Sequence, residues 1–104
     1  MVENEIVWLP IANEQLEFIL NYWNTKTSNA SYSNKILNKL YLKLITLQRY
    51  PHSAPLLQSR KVHKLAMRNY SIIYAVRSEM IYIFSFWDNR QDPNNLFTIL
   101  NNLK

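Results

Sequence analysis

Apolar positions recur along this chain with two periods, helical before residue 50 and strand-like after residue 60. IVWLPIA, residues 6–12, predicts a short strand, with Pro10 at a sheet edge or near the strand's end. Asn13 is the expected N-cap of a first helix, with Glu14 in its first turn and Leu16, Ile19, Leu20 and Trp23 at helical spacing. After the polar TKTSNAS, Ser31 or Ser33 should cap a second helix. Its expected stripe is Leu37, Leu40, Leu44 and Leu47, with Lys35, Lys39 and Lys43 on another face. Pro51 should stop it near Tyr50. So short a link predicts an antiparallel helical hairpin, and HSAPLLQS then reads as a loop.

From Arg60 the pattern becomes RKVHKLAM, a turn at Arg68 and Asn69, YSIIYAVR, a turn at Ser78 and Glu79, and MIYIFSFW, which predicts a three-stranded meander. A final helix over 94–103 would place Leu96, Ile99, Leu100 and Leu103 on one face. The expected fold is α+β: a small single domain over residues 1–104, strand-helix-helix followed by a three-stranded antiparallel meander and a short C-terminal helix. With two-residue turns, side chains sort onto two faces. Leu65, Met67, Tyr70, Ile72, Tyr74, Val76, Ile81, Ile83 and Trp87 should face the helices. Val62, Lys64, Ala66, Ser71, Ile73, Ala75, Arg77, Tyr82, Phe84, Phe86 and Asp88 should form a second, partly open face, with Arg60 at its margin.

Composition narrows the chemistry. Neither glycine nor cysteine occurs in the 104 residues. Glycine-rich phosphate loops and thiolate metal sites are therefore excluded, and positive φ should fall to asparagines. His52 and His63 alone make no metal site, and no cofactor is expected. His63 falls on the helix-facing side opposite Tyr74, where a structural hydrogen bond is its expected use. The acidic start lacks a secretory pattern and no stretch reaches membrane-spanning length, so a cytoplasmic protein is expected. The formal charge of +5 is uneven, because no acid occurs between Glu17 and Glu79. This cationic middle suits a nucleic acid or an acidic protein partner, with Lys35, Lys39 and Lys43 the expected nucleic-acid contacts. Tyr82, Phe84 and Phe86, rimmed by cations, are the expected partner-binding patch.

The last strand breaks into WDNRQDP. An Asx-type turn accounts for Asp88, Asn89, Asp92 and Pro93, but a turn does not require Arg90. The element order, together with IVWLPIANEQLEFILNYW, LQRYP, YSIIYAV and FSFWDNRQDPNNL, resembles the RelE/ParE family of toxins from type II toxin-antitoxin modules over nearly the whole chain. The resemblance implies a toxin blocked by a cognate antitoxin and aimed either at mRNA on the ribosome, which RelE-like members cleave without a metal, or at DNA gyrase, which ParE-like members inhibit. Metal-free cleavage needs a base, an acid and clustered cations. Arg60, Lys64, Arg77 and Arg90 are the candidate catalytic cations, and Arg90 matches the arginine of the family's strand-ending element. Two positions depart from cleaving members: Ser71 stands where their strand motif carries arginine, and Trp87-Asp88 stands where some place histidine or tyrosine. A toxin that has lost activity and a non-enzymatic nucleic-acid-binding module are the alternatives.

Overall fold

The computed structural model describes residues 4–57, 62–92, 94–96 and 98. Strand β1 (Glu5–Trp8) ends because Pro10 takes the first position of helix α1 (Pro10–Thr27), where its missing N–H has no intrahelical partner to lose. Asn13, the expected cap, lies inside the first turn and donates its backbone N–H to the Leu9 carbonyl at 3.1 Å. Ser28 closes α1 in the left-handed region (φ 60°), the helix-ending geometry that glycine usually supplies.

Helix α2 (Ser31–Arg49) starts after Ala30, with no side-chain cap. Ser31 and Ser33, the expected caps, are helical. Ser33 is buried and ties the hairpin together instead, its Oγ bonding to the Leu20 carbonyl at 3.0 Å and to Asn24 Oδ1. The buried positions are Ser33, Ile36, Leu40 and Leu47, with Leu44 partly buried. Ile36 takes the place expected of Leu37, which is 39% exposed. Tyr50 closes the helix just before Pro51, as the sequence predicts.

Strands β2 (His63–Met67), β3 (Tyr70–Arg77) and β4 (Met80–Asp88) form the antiparallel meander, and β1 joins β4 in parallel to give the order β1-β4-β3-β2. Both turns have two residues, Arg68-Asn69 and Ser78-Glu79. Among the described residues, positive φ occurs at Ser28, Arg68, Ser78 and Glu79. None is an asparagine, against the expectation from composition. The helix end dictates the value at Ser28 and hairpin twist those at Arg68, Ser78 and Glu79, and the residues present adopt them.

One irregularity overturns the expected faces at the end of β4. Ile73 pairs with Ser85 but Tyr74 pairs with Ile83, so Phe84 is an extra residue on β4. Beyond it the parity is reversed: Phe86, expected on the open face, is 1% exposed in the core beside Tyr70, and Trp87 faces the opposite way. Gln15 of α1 takes over where β1 has ended, its Oε1 accepting the Phe86 N–H at 3.0 Å and the Ser85 hydroxyl at 2.8 Å.

The helices cover one face, where Ile36, Leu40, Leu47, Ile72, Ile81 and Ile83 share a core. Fully burying each such side chain contributes about 1.5–3 kcal/mol. The second face is less open than expected. Ile73, Trp87 and Leu96 are buried together there, with Leu57, Val62 and Phe84 packed against them. Leu96 belongs to a helical turn at 94–96, introduced by Asp92, whose Oδ1 accepts the Asn94 N–H at 3.0 Å. The remainder of the expected final helix, with Ile99, Leu100 and Leu103, lies outside the described residues.

Candidate functional site at the end of the last strand

Asp88 ends β4 by turning the chain back on itself. Its Oδ1 accepts the backbone N–H of Arg90 at 2.9 Å, an Asx turn, and the Arg90 side chain closes on the same carboxylate through Nε–Oδ1 at 2.9 Å and Nη2–Oδ2 at 2.8 Å. These hydrogen bonds from Arg90, opposed by partial burial, hold the Asp88 carboxyl below its ordinary range, and Asp88 in turn holds Arg90 protonated beyond its own. The Arg90 side chain remains 59% exposed, so the pair occupies only part of its fork.

The guanidinium lies 6.0 Å from the centre of the Tyr70 ring. The Tyr70 hydroxyl accepts the Trp23 indole N–H at 2.8 Å, which fixes the ring against α1. Phe18, Ile19 and Tyr22 form the opposite wall of a groove of about 290 Å³ that holds Tyr70, Asp88 and Arg90. A neighbouring groove of about 350 Å³ continues past Phe18 to Gln15 and Trp87. Phe18 is 72% exposed. This corner therefore offers an arginine with unused donors beside an aromatic wall, suited to binding a carboxylate or phosphate next to an apolar group.

Asn89 joins the two ends of the sheet's polar edge. Its Oδ1 accepts the Ser71 hydroxyl at 2.7 Å, its Nδ2 donates to the Arg68 carbonyl at 3.0 Å, and its N–H donates to the Asn69 carbonyl at 2.9 Å. Ser71, where the resemblance leads one to expect arginine, is fully buried and serves this clamp.

The candidate cations are dispersed. Lys64 is partly buried in mid-β2 opposite Ile73, while Arg77 lies opposite Met80 beside the Ser78-Glu79 turn. Arg77 and the Tyr70 end of β3, where Arg90 sits, are separated by about 23 Å at strand rise. Arg60 lies outside the described residues. Lys35, Lys39 and Lys43 are exposed along α2. Tyr82 and Phe84 are partly buried, and with Phe86 in the core the three do not form an open patch. His63 is buried opposite Tyr74 as expected, stacked on its ring at 4.9 Å, with Nδ1 2.7 Å from the Ala54 carbonyl. Among the described residues the buried Tyr74 hydroxyl has no hydrogen-bond partner, and burial raises its pKa against a smaller opposing effect of the Ala54 backbone.

Sequence reasoning missed the exposed apolar residues of the helices: Phe18 and Tyr22 on α1, and Leu37, Tyr41, Leu42 and Ile45 on α2. The signal was present, since Phe18 and Tyr22 are four apart and lie off the Leu16, Ile19, Leu20 and Trp23 stripe. Among the described residues, no group of three histidines and carboxylates could hold a metal, and no helix is long and apolar enough to cross a membrane.

A parallel first strand, a helical hairpin and an antiparallel meander ending in an arginine corner define the class of fold expected from the RelE/ParE resemblance. A chain of the chromosomal ParDE TA system from P. aeruginosa shares it, with a TM-score of 0.69 over 83% of this chain and 96% of that one, at 14% identity. No family model and no curated protein matches the sequence.

Proposed function

We propose that the chain is the toxin of a type II toxin-antitoxin module, neutralised by a cognate antitoxin and acting on the translation or DNA-topology machinery. The observation that carries this reading is the fold shared with a chain of the ParDE TA system over 83% of this chain and 96% of that one. Of the two targets, DNA gyrase is favoured by the dispersal of Lys64, Arg77 and Arg90, because RNA cleavage without a metal needs cations, an acid and a base within reach of one phosphate. The nearest carboxylate to Arg90 is already ion-paired, and His63 is buried. The toxin then acts by occupying its target, with Arg90 and the Phe18 and Tyr22 wall making the contact.

The antitoxin's expected seat also moves. Tyr82, Phe84 and Phe86 do not present an open surface, whereas Leu37, Tyr41 and Ile45 lie four residues apart on α2 and are exposed. An amphipathic segment that lays its apolar side chains on that stripe fits it.

Expression of the chain alone should arrest growth, and co-expression of the product of the adjacent gene should relieve it. Purified protein should inhibit gyrase supercoiling and leave mRNA on programmed ribosomes intact. Cleavage of that mRNA would replace the gyrase reading with the nuclease one. Harmless expression with tight binding of the neighbour would show a toxin that has lost activity. Arg90→Lys, which keeps the charge but loses the planar fork, should fold, bind antitoxin and be much less toxic.

A further inference from the structure

On the side of the molecule where α2 begins, a cleft of about 560 Å³ opens between the first turns of that helix and the β2-β3 turn. Lys35 and Lys39 line one wall, Arg68 and Asn69 the other, and Ile36 and Met67 contribute apolar surface. Among the described residues no carboxylate lines it. Among the described residues the only ion pair is Arg90 with Asp88, so none of these three cations is neutralised by a described acid.

The turn that carries Arg68 is held in an unusual way. Arg68 has φ 76°, a region that is unfavourable for a side chain with a Cβ. Asn89 clamps it there through the Arg68 and Asn69 carbonyls, and the buried Ser71 hydroxyl orients Asn89 in turn. Three hydrogen bonds thus fix the backbone that carries Arg68 at the cleft's edge. The cationic line does not stop at the cleft. Lys43 is exposed two turns beyond Lys35, about 12 Å further along α2 at helical rise. One phosphate cannot span that length, whereas successive phosphates of a strand can.

We propose that this cleft and Lys43 grip the phosphodiester backbone of a nucleic-acid strand, with Arg68 making a two-point contact to one phosphate and the lysines neutralising its neighbours. The contacts are to phosphate, so binding is independent of sequence. This goes beyond the toxin reading, because the cleft binds whether or not the chain arrests growth.

The test is fluorescence anisotropy with labelled duplex DNA and labelled single-stranded RNA of equal length, titrated over a range of salt. Inorganic triphosphate and a polyglutamate peptide serve as competitors. Four phosphate contacts should give a slope of log affinity against log salt of about −3 to −4. Lys35→Gln, Lys39→Gln and Arg68→Gln combined should flatten it by about 2 to 3 units, and Lys39→Gln alone by about 1, while Lys26→Gln on α1 leaves it unchanged. Melting temperatures confirm that each variant folds. An unchanged slope in the folded triple variant overturns the proposal. So does polyglutamate competing as well as nucleic acid, which would mark an acidic-peptide groove, or triphosphate competing as well, which would mark a small-anion site. Growth arrest is scored separately: a triple variant that stays toxic but loses its salt slope supports the cleft and leaves the toxin reading intact.

Discussion

A single asparagine, Asn89, connects three positions that lie 18 to 21 residues away in sequence, and its energetic weight comes from the buried Ser71 hydroxyl it satisfies. Removing an acceptor from a buried donor costs about 1–3 kcal/mol. Asn89→Ala should therefore lower the stability measured in urea by that amount. Adding Ser71→Ala should cost less than the sum of the two changes, because the second removes the group that the first leaves unsatisfied. Strict additivity would mean that the clamp carries no energy of its own. The Asp88 and Arg90 pair is closer in sequence and weaker. Asp88→Asn should cost at most about 1 kcal/mol at neutral pH, since Arg90 is largely solvated. The Asp88 carboxyl titrates below its unfolded value, so its contribution is full above about pH 4 and is lost as the pH falls through the lowered folded value. Unfolding curves of wild type and Asp88→Asn should converge in acid, and a gap that widens there would reverse the assignment.

Among the elements, the Ser78-Glu79 turn makes the clearest prediction. Both residues have positive φ, the geometry that Asn-Gly adopts at least cost. Ser78→Asn with Glu79→Gly should stabilise the protein by about 1–2 kcal/mol in urea without changing m. The helical hairpin, the meander and both two-residue turns were legible in the sequence because the change of period and the breaks at Pro51, Arg68-Asn69 and Ser78-Glu79 are local signals. The bulge at Phe84 was not. MIYIFSFW is apolar almost throughout, so shifting it by one residue exposes no polar side chain that would reveal the change of parity. The same limit applies to the site. Arg90 with Asp88 could be read from a spacing of two residues, whereas the clamp on Arg68 depends on strands that only the folded sheet brings together.

For the molecule as a whole, the main anomaly is apolar area left on the helices. Phe18 and Tyr41 are 72% and 66% exposed, and Leu42 is 64% exposed. Surface of this kind marks a place where something else belongs. Tyr41→Lys with Leu42→Lys should change folding stability by no more than about 0.5 kcal/mol and improve the solubility of the chain purified alone. A larger loss of stability would show that these residues pack in the isolated fold. The pairing of β1 with β4 adds a matter of timing. Glu5 finds its partner at Met80, so the first strand leaves the ribosome about 75 residues before the strand that receives it. At about 5–20 residues per second, β1 waits roughly 4 to 15 seconds for the centre of its sheet. For that interval the nascent chain has no finished arginine corner, and a chain arrested before Met80 should show no hydrogen-exchange protection in β1.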